Sequence, residues 1–336
     1  MNKKMNSCLV AMILLSSGAC AETKSVMVQV RDGESGKPMP NVAVECVFVN
    51  EGSPWDRVKG PAEQKKLVAR ADADGCCRFQ GESDCGEVWA NLGEEIPGYY
   101  KPLRSTWGKL DGEGVWTNGC LLLKVDLQRV GNPIPLWVKK IGNDLADNFF
   151  KDREKLQFDL LMGEWLPPLG TGAVADIEFV HNPRENLGPV VIDHISAEAR
   201  RESMTTRFPG KGNGICKVDY PHTACLQIRT APEDGYVPEV VAVDEYGTDG
   251  HNLDWRRSYD MNRCYAFRIR TVYDEQGRIV SACYGKIYGD IHFLHSEDRA
   301  SVTMFYYLNP TPLDRNLEWN HENLFSYPGY LSGYLP

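Results

Sequence analysis

Beyond Cys20 the sequence has no apolar run long enough to cross a bilayer as a helix, which takes about 20 consecutive apolar residues. It has no surplus of positive charge either. Against 46 acidic residues stand 37 basic ones, a net charge of −9, and a chain that neutralises phosphate in bulk needs a basic face, so nucleic acid is excluded as a partner. There is no C-x-x-C pair and no cysteine and histidine set at zinc-finger spacing, which removes a structural zinc site. A serine elbow, a C-G-S-C cysteine context and a helical H-E-x-x-H are all missing, so no local signature of nucleophilic or zinc hydrolysis is present. No internal repeat or low-complexity run occurs, and no motif implies a cofactor.

What is present begins with an address. Lys3 and Lys4, the apolar stretch from Cys8 to Leu15 and the small residues Ala19-Cys20-Ala21 have the three parts of a secretory signal peptide over residues 1–21. Ser17-Gly18-Ala19-Cys20 also resembles a bacterial lipobox, although Ser17 stands where a large aliphatic residue is usual. Cleavage after Ala21 and lipidation of Cys20 both remain open. The first places the protein in the periplasm or outside the cell, the second on the outer membrane through acyl chains alone. Of 11 cysteines, Cys8 and Cys20 fall in this segment, and the nine that remain are an odd number in a compartment that permits disulfides. Cys46, Cys76, Cys77, Cys85 and Cys120 lie in the first half and the other four in the second, consistent with pairing inside each half; Cys216 and Cys225 could close a small loop.

From Ser25 the pattern is β. Val26, Val28 and Val30 alternate with polar residues, Gly36 to Asn41 makes a turn, and Val42, Val44, Cys46 and Phe48 alternate again. Asp72-Ala73-Asp74-Gly75 reads as a second turn; a calcium loop would need more acids at fixed offsets. The pieces V-x-V-x-V-x-D (Val26 to Asp32), G-K-P-x-P-N-V (Gly36 to Val42) and D-A-D-G (Asp72 to Gly75) resemble the carboxypeptidase regulatory-like domain, a transthyretin-like sandwich. That resemblance implies a seven-stranded accessory module over roughly residues 25 to 128 without catalytic residues.

Residues 131–156 read as a linker, opened by Pro133 and Pro135, and a short helix capped by Asn143 or Asp144 and running to about Lys155. Short strands and Gly/Pro turns return over 157–308, predicting a second, larger sandwich-like domain, and residues 309–336 read as an extended surface tail. The segments from Phe158 to Ile177, Phe267 to Gly289 and Phe305 to Trp319 resemble uncharacterised exported proteins of Verrucomicrobia and Lentisphaerae. That likeness implies an envelope setting and no activity. The expected fold is therefore mostly β: a signal peptide over 1–21, a transthyretin-like sandwich over 22–130, a linker and helix, and a larger β domain.

The clearest single prediction is a β-hairpin from Cys264 to Asp290 closed by Asp274-Glu275-Gln276-Gly277. With Tyr273 paired to Arg278, Tyr265, Phe267 and Ile269 share the core side with Val280, Ala282 and Tyr284, because side chains alternate along a strand. Arg268 and Arg270 then stand side by side on the other face, where two guanidinium groups could clamp a carboxylate or sulfated sugar, or simply pair with acids on a solvated surface. Trp165, with other rings in Gly/Pro-rich surroundings, is a candidate for stacking on a sugar or for core packing. His292, His295, Asp290 and Glu297 are metal-ligand types, yet residues three apart on a strand point to opposite faces. Acids for glycoside hydrolysis are abundant (Asp159, Glu164, Asp176, Glu178, Asp244, Glu245, Asp249, Asp254) and carry no signature. The reading is an exported binding or accessory protein for a glycan or an envelope protein, with a glycoside hydrolase and a structural surface component as the competing classes.

Overall fold

The computed structural model describes residues 23–49, 66–83, 86–100, 106–110, 115–117, 119–142, 155–192, 194–218, 228–247, 255–260, 263–296 and 299–326. The export segment with Cys20, the helix expected over 143–154, and Cys85 and Cys225 lie outside them. Among the described residues all regular structure is β.

The N-terminal body is a sandwich of two four-stranded sheets. One runs in the order β4 (Cys76–Gly81), β1 (Lys24–Asp32), β8 (Cys120–Leu127), β7 (Trp116–Thr117); the other β3 (Lys66–Arg70), β2 (Ala43–Phe48), β5 (Glu87–Leu92), β6 (Thr106–Lys109). Strand alternation sends Val26, Val28 and Val30 of β1 inward against Val44, Cys46 and Phe48 of β2. The D-A-D-G stretch is a turn: Asp72 Oδ1 accepts from the N–H groups of Asp74 and Cys76, both at 2.9 Å. Gly75 takes φ +72°, and a Cβ there would lie 2.5 Å from the Val30 carbonyl oxygen.

Two six-stranded sheets build the larger body. The first has the order β11 (Glu164–Trp165), β10 (Lys155–Asp159), β12 (Ile177–Ile192), β13 (Ile195–Arg207), β15 (Glu239–Tyr246), β16 (Trp255–Arg256). The second has the order β14 (Gly214–Val218), β17 (Cys264–Tyr273), β18 (Ile279–Ser296), β19 (Arg299–Asn309), β9 (Ile134–Ile141), β20 (Trp319–Asn323). Phe158, Phe179, Phe208, Phe267, Ile287 and Tyr306 fill the space between them. Cys46, Cys76, Cys77, Cys216, Cys264 and Cys283 are free thiols, so the expected pairing within each half does not occur among them.

Two boundaries differ from expectation. The segment expected as a linker contains β9: Pro133 and Pro135 hold the backbone extended, and extended backbone beside β19 becomes a strand. The expected surface tail contains β20, which pairs in parallel with β9 and buries Leu317, Glu318 and Trp319.

The hairpin forms, closed by Asp274 Oδ1 accepting from the N–H groups of Gln276 and Arg278 and by Gly277 at φ +77°. Its register is one residue from the expected one. Tyr273 opposes Ile279, and after a bulge between Ile269 and Val272 the pairs are Ile269 with Cys283 and Phe267 with Gly285. The shift exchanges the faces of the second strand: Cys283 and Ile287 join Tyr265, Phe267 and Ile269 in the main core, while Ala282 and Tyr284 pack on the opposite side. Gly285 has no room for a side chain, since a Cβ would meet the Phe267 ring at 2.1 Å and the Tyr307 carbonyl oxygen at 2.5 Å. Gly285→Ala is therefore expected to cost about 1–3 kcal/mol, as overpacking does. A thermal melt superimposable on that of the parent protein would show that Phe267 yields instead.

Candidate functional site

The bulge decides the fate of the arginine pair. Arg270 sits at φ +53°, so its side chain leaves the strand's alternation. Its Nε donates to Asp176 Oδ1 at 2.9 Å, and one terminal nitrogen donates to Asp176 Oδ2 at 2.9 Å and Asp159 Oδ1 at 2.7 Å. Arg268 points the other way: its Nε donates to the Gly212 carbonyl at 2.7 Å and its guanidinium lies 4.6 Å from the Tyr236 ring centroid. The anion clamp considered from the sequence is thus not formed; the two guanidinium groups make two separate structural contacts, Arg270 with acids and Arg268 with a carbonyl and a ring. Trp165 is a partly buried ring packed against the core, edge-on to Phe158 at 4.9 Å and near Phe179 at 6.2 Å.

The two carboxylates facing Arg270 are each 1% exposed. Asp159 also accepts from the N–H groups of Leu161, Met162, Ala173 and Val174, and Asp176 from that of Leu160. Burial pushes the Asp176 carboxyl up from its ordinary value, and Arg270 only partly offsets this. With protein donors on all four oxygens, this pair is a structural knot tying β10 and the 173–176 turn to β17. The other acids considered for hydrolysis are engaged as well: Glu178 with Lys155 and Gln157, Glu245 with Arg201, Asp244 with Ser258. Asp249 and Asp254 lie outside the described residues. His292 packs at a tilt against Tyr259, ring centroids 4.5 Å apart, and Asp290 is held by Arg263 at 2.8 Å. Among the described residues no three His, Cys, Asp or Glu side chains gather in a metal-binding group.

A cleft of about 460 Å³ opens where the two bodies meet, lined by Glu95, Ile96, Pro97, Gly98, Tyr99, Tyr100 and His321. Its floor is built from Pro97-Gly98, a turn with Gly98 at φ +78°, which delivers two tyrosines in succession. Tyr99 pairs with Arg129 across an isolated bridge, and its hydroxyl donates to Asp32 Oδ2 at 2.8 Å, where Arg129 Nε also donates at 2.6 Å. The backbone N–H of Ser35 and the Arg129 guanidinium hold the Asp32 carboxyl well below the usual range, so it stays an anion behind the ring. The Tyr100 hydroxyl donates to Glu318 Oε1 at 2.9 Å. Burial, then Glu318, raises the phenol pKa of Tyr100, and the ring keeps its proton.

His321 is the wall on the opposite side. It takes φ +68°, and its ring lies 4.7 Å from Trp319 and 6.4 Å from Tyr100. Contact burial, then the nearby Lys286, lowers its pKa, which keeps the imidazole neutral near pH 7. The cleft thus offers three ring systems, two of them fixed by buried carboxylates, and one carboxylate, Glu95, in its described lining. That set can stack on a ligand and accept its hydroxyl protons. It does not provide the nucleophile and base, or the facing acid pair, that bond cleavage needs.

None of these residues stood out in the sequence. Tyr99 and Tyr100 fall between β5 and β6, outside any alternating run, and His321 is more than 200 positions away in a segment that reads as a tail. The signal that was legible is local: a Pro-Gly turn followed by two tyrosines displays rings at a surface.

No family model matches the chain, and no curated protein matches it. Among solved structures it is similar to the shaft pilin SpaA from Lactobacillus rhamnosus GG, at 11% identity over 58% of this chain and 90% of that one, with a TM-score of 0.24. It is also similar to the major pilin SpaD from Corynebacterium diphtheriae, at 11% identity over 85% of this chain and 58% of that one (TM-score 0.24), and to BcpA, the major pilin subunit of Bacillus cereus, at 12% identity over 84% and 95% (TM-score 0.24). Superpositions at these scores do not bear on function.

Proposed function

We propose that the chain is an exported, non-catalytic binding component of a bacterial envelope, and that its ligand is a saccharide seated in the cleft between the two bodies. The observation that carries this reading is the lining itself. Tyr99, Tyr100 and His321 present ring surfaces that a sugar's C–H faces can cover, and Glu95 accepts its hydroxyls. Loss of the Arg268 and Arg270 clamp moves the ligand class away from sulfated or carboxylated glycans. The one charged side chain in the described lining is an acid, and the chain carries −9 overall, so the saccharide is neutral or bears an amine. The N-terminal sandwich, read as transthyretin-like, serves as the accessory module that positions the cleft. Lipidation of Cys20 would tether it, and cleavage after Ala21 would release it.

A hydrolase is disfavoured because glycoside cleavage needs two carboxylates flanking the bond. The cleft's described lining supplies one, and the Asp159 and Asp176 pair is closed by Arg270.

A glycan array probed with the full mature chain tests the proposal. Binding to neutral or amino sugars is expected, with affinity reduced roughly tenfold in Tyr100→Ala, about 1.4 kcal/mol for one lost stacking ring. Binding unchanged in Tyr100→Ala and Tyr99→Ala would move the ligand elsewhere. Released reducing ends on incubation with oligosaccharides would establish the hydrolase, and an array without signal would leave the protein-partner reading.

A further inference from the structure

Lys286 lies in the middle of β18 with none of its side chain exposed. Its Nζ donates to the Ile228 carbonyl at 3.3 Å and stands 4.9 Å from the centroid of the Tyr307 ring. An amine is placed in such surroundings at considerable cost, because burial disfavours its charged form. Burial lowers its pKa from 10.5 to about 7.

What covers it is a strap of two chain segments. Residues 228–231 and 315–319 are joined by hydrogen bonds from the Ala231 N–H to the Arg315 carbonyl at 2.9 Å and from the Leu317 N–H to the Arg229 carbonyl at 2.7 Å. Ile228 and Leu317 pack over Cys264, Ala282 and Tyr284, and Trp319 lies against Tyr307 at 5.5 Å. The same strap joins the two bodies. Glu318 accepts from the Tyr100 hydroxyl and from the N–H groups of Gly131 and Asn132, both at 2.7 Å, while Arg229 pairs with Glu34 of the N-terminal sandwich at 2.5 Å. Two residues after Trp319 it becomes the His321 wall of the cleft. One cover thus closes over the amine, forms a side of the cleft and locks the joint.

We propose that this strap is a proton-linked latch: lifting residues 315–323 brings the Lys286 amine into water, where it takes up a proton, so that acidification opens the cleft wall and loosens the joint between the bodies. The groups that face the amine set the sign. Burial pushes the Cys264 thiol of β17 and the Tyr307 phenol of β19 up, so both keep their protons near pH 7, and Tyr284 and Tyr288 stand two positions away on its own strand. From the strap come Glu318, which favours the ammonium, and His321, which opposes it when protonated. Glu318 is already taken up by Tyr100 and two backbone donors, and it leaves with the strap. Opening therefore replaces a neutral buried amine by a hydrated ammonium with one proton taken from solvent, and His321, freed with the strap from the burial that lowers its pKa, adds a second uptake at the acidic end. Linkage then fixes the slope. Between pH 10.5 and pH 7 the opening constant rises tenfold for each unit the pH falls, and below pH 7 the lysine's share of the rise levels off because the amine is charged in both states. From pH 8 to pH 6 the gain is about tenfold, and from pH 9 to pH 6 close to a hundredfold.

The latch does not depend on what the cleft binds, and its test uses no ligand. Hydrogen exchange of the full chain, read by mass spectrometry and divided by the intrinsic rate at each pH, reports opening of peptides within 313–326. A β1 peptide from the N-terminal core is the internal control. The expected result is an opening constant about tenfold larger at pH 6 than at pH 8 for the strap and unchanged for β1. In Lys286→Met the difference should fall below twofold, and in His321→Asn it should persist. A strap that exchanges independently of pH in the parent protein overturns the proposal, as does a Lys286→Met variant that keeps the tenfold step. Should Lys286→Met not fold, the His321→Asn profile decides: a rise that there continues undiminished below pH 6 belongs to another group and overturns the proposal.

Discussion

Lys286→Met is expected to make the protein more stable at pH 7, and to remove most of the dependence of its stability on pH in the alkaline range. The lysine's pKa is about 7 in the folded protein against 10.5 for an ordinary lysine. Between those values the unfolded chain binds the extra proton, so stability rises with pH through this window and is lowest, and flat, below pH 7. A difference of 3.5 units at 1.36 kcal/mol each is about 5 kcal/mol in full, of which about 4 is felt at pH 7. Methionine fills a similar volume and has no charge to desolvate. It also leaves the Ile228 carbonyl without a donor, a cost of about 1–3 kcal/mol. The net expectation at pH 7 is a gain of roughly 2 kcal/mol, turning into a small loss near pH 10.5 where the lysine is neutral in both states. Urea unfolding at pH 7 and pH 10 measures both. A parent protein whose stability is the same at the two pH values would mean that the amine is solvated in the folded state.

That such a lysine exists was not visible in the sequence, and the reason is physical. Gly285-Lys286-Ile287 sits in an alternating strand where a charged residue reads as solvent-facing, and it is buried because a distant segment, 315–319, folds across that face. The same covering element explains why residues 309–326 were read as a tail: Asn, Pro and Tyr give no periodicity, and β20 owes its place to pairing with β9 more than to its own composition. What was legible was local. The valine alternation of β1, the D-A-D-G turn and the 274–277 hairpin closure depend on side-chain period and turn chemistry within a few residues. The hairpin's register was not, because the bulge at Arg270 depends on carboxylates 94 and 111 positions away in sequence. The bulge, which takes Arg270 out of the strand's alternation, was enough to separate it from Arg268 and to dissolve the site that the strand pattern suggested.

Those carboxylates make Arg270 the residue whose loss should be felt most. Arg270→Met leaves Asp159 and Asp176 facing each other at 1% exposure without a counter-charge, and removing one partner from a buried ionic group costs about 3–5 kcal/mol. The two acids will not respond alike. Asp159 keeps four backbone donors, whereas Asp176 keeps only the Leu160 N–H and is already pushed up by burial. In the variant Asp176 should therefore take up a proton on folding. A carboxyl whose pKa is raised in the folded state lowers stability above that pKa and ceases to do so as the pH falls to the unfolded value near 3.9. The penalty of Arg270→Met should accordingly be large at pH 7 and shrink toward pH 4, and adding Asp176→Asn should recover part of it at pH 7 by removing the charge left unpaired. Chemical denaturation of the single and double variants at both pH values separates this from simple loss of packing. A penalty independent of pH, with no recovery in the double variant, would show that Arg270 acts through the bulk of its side chain and that its charge matters little.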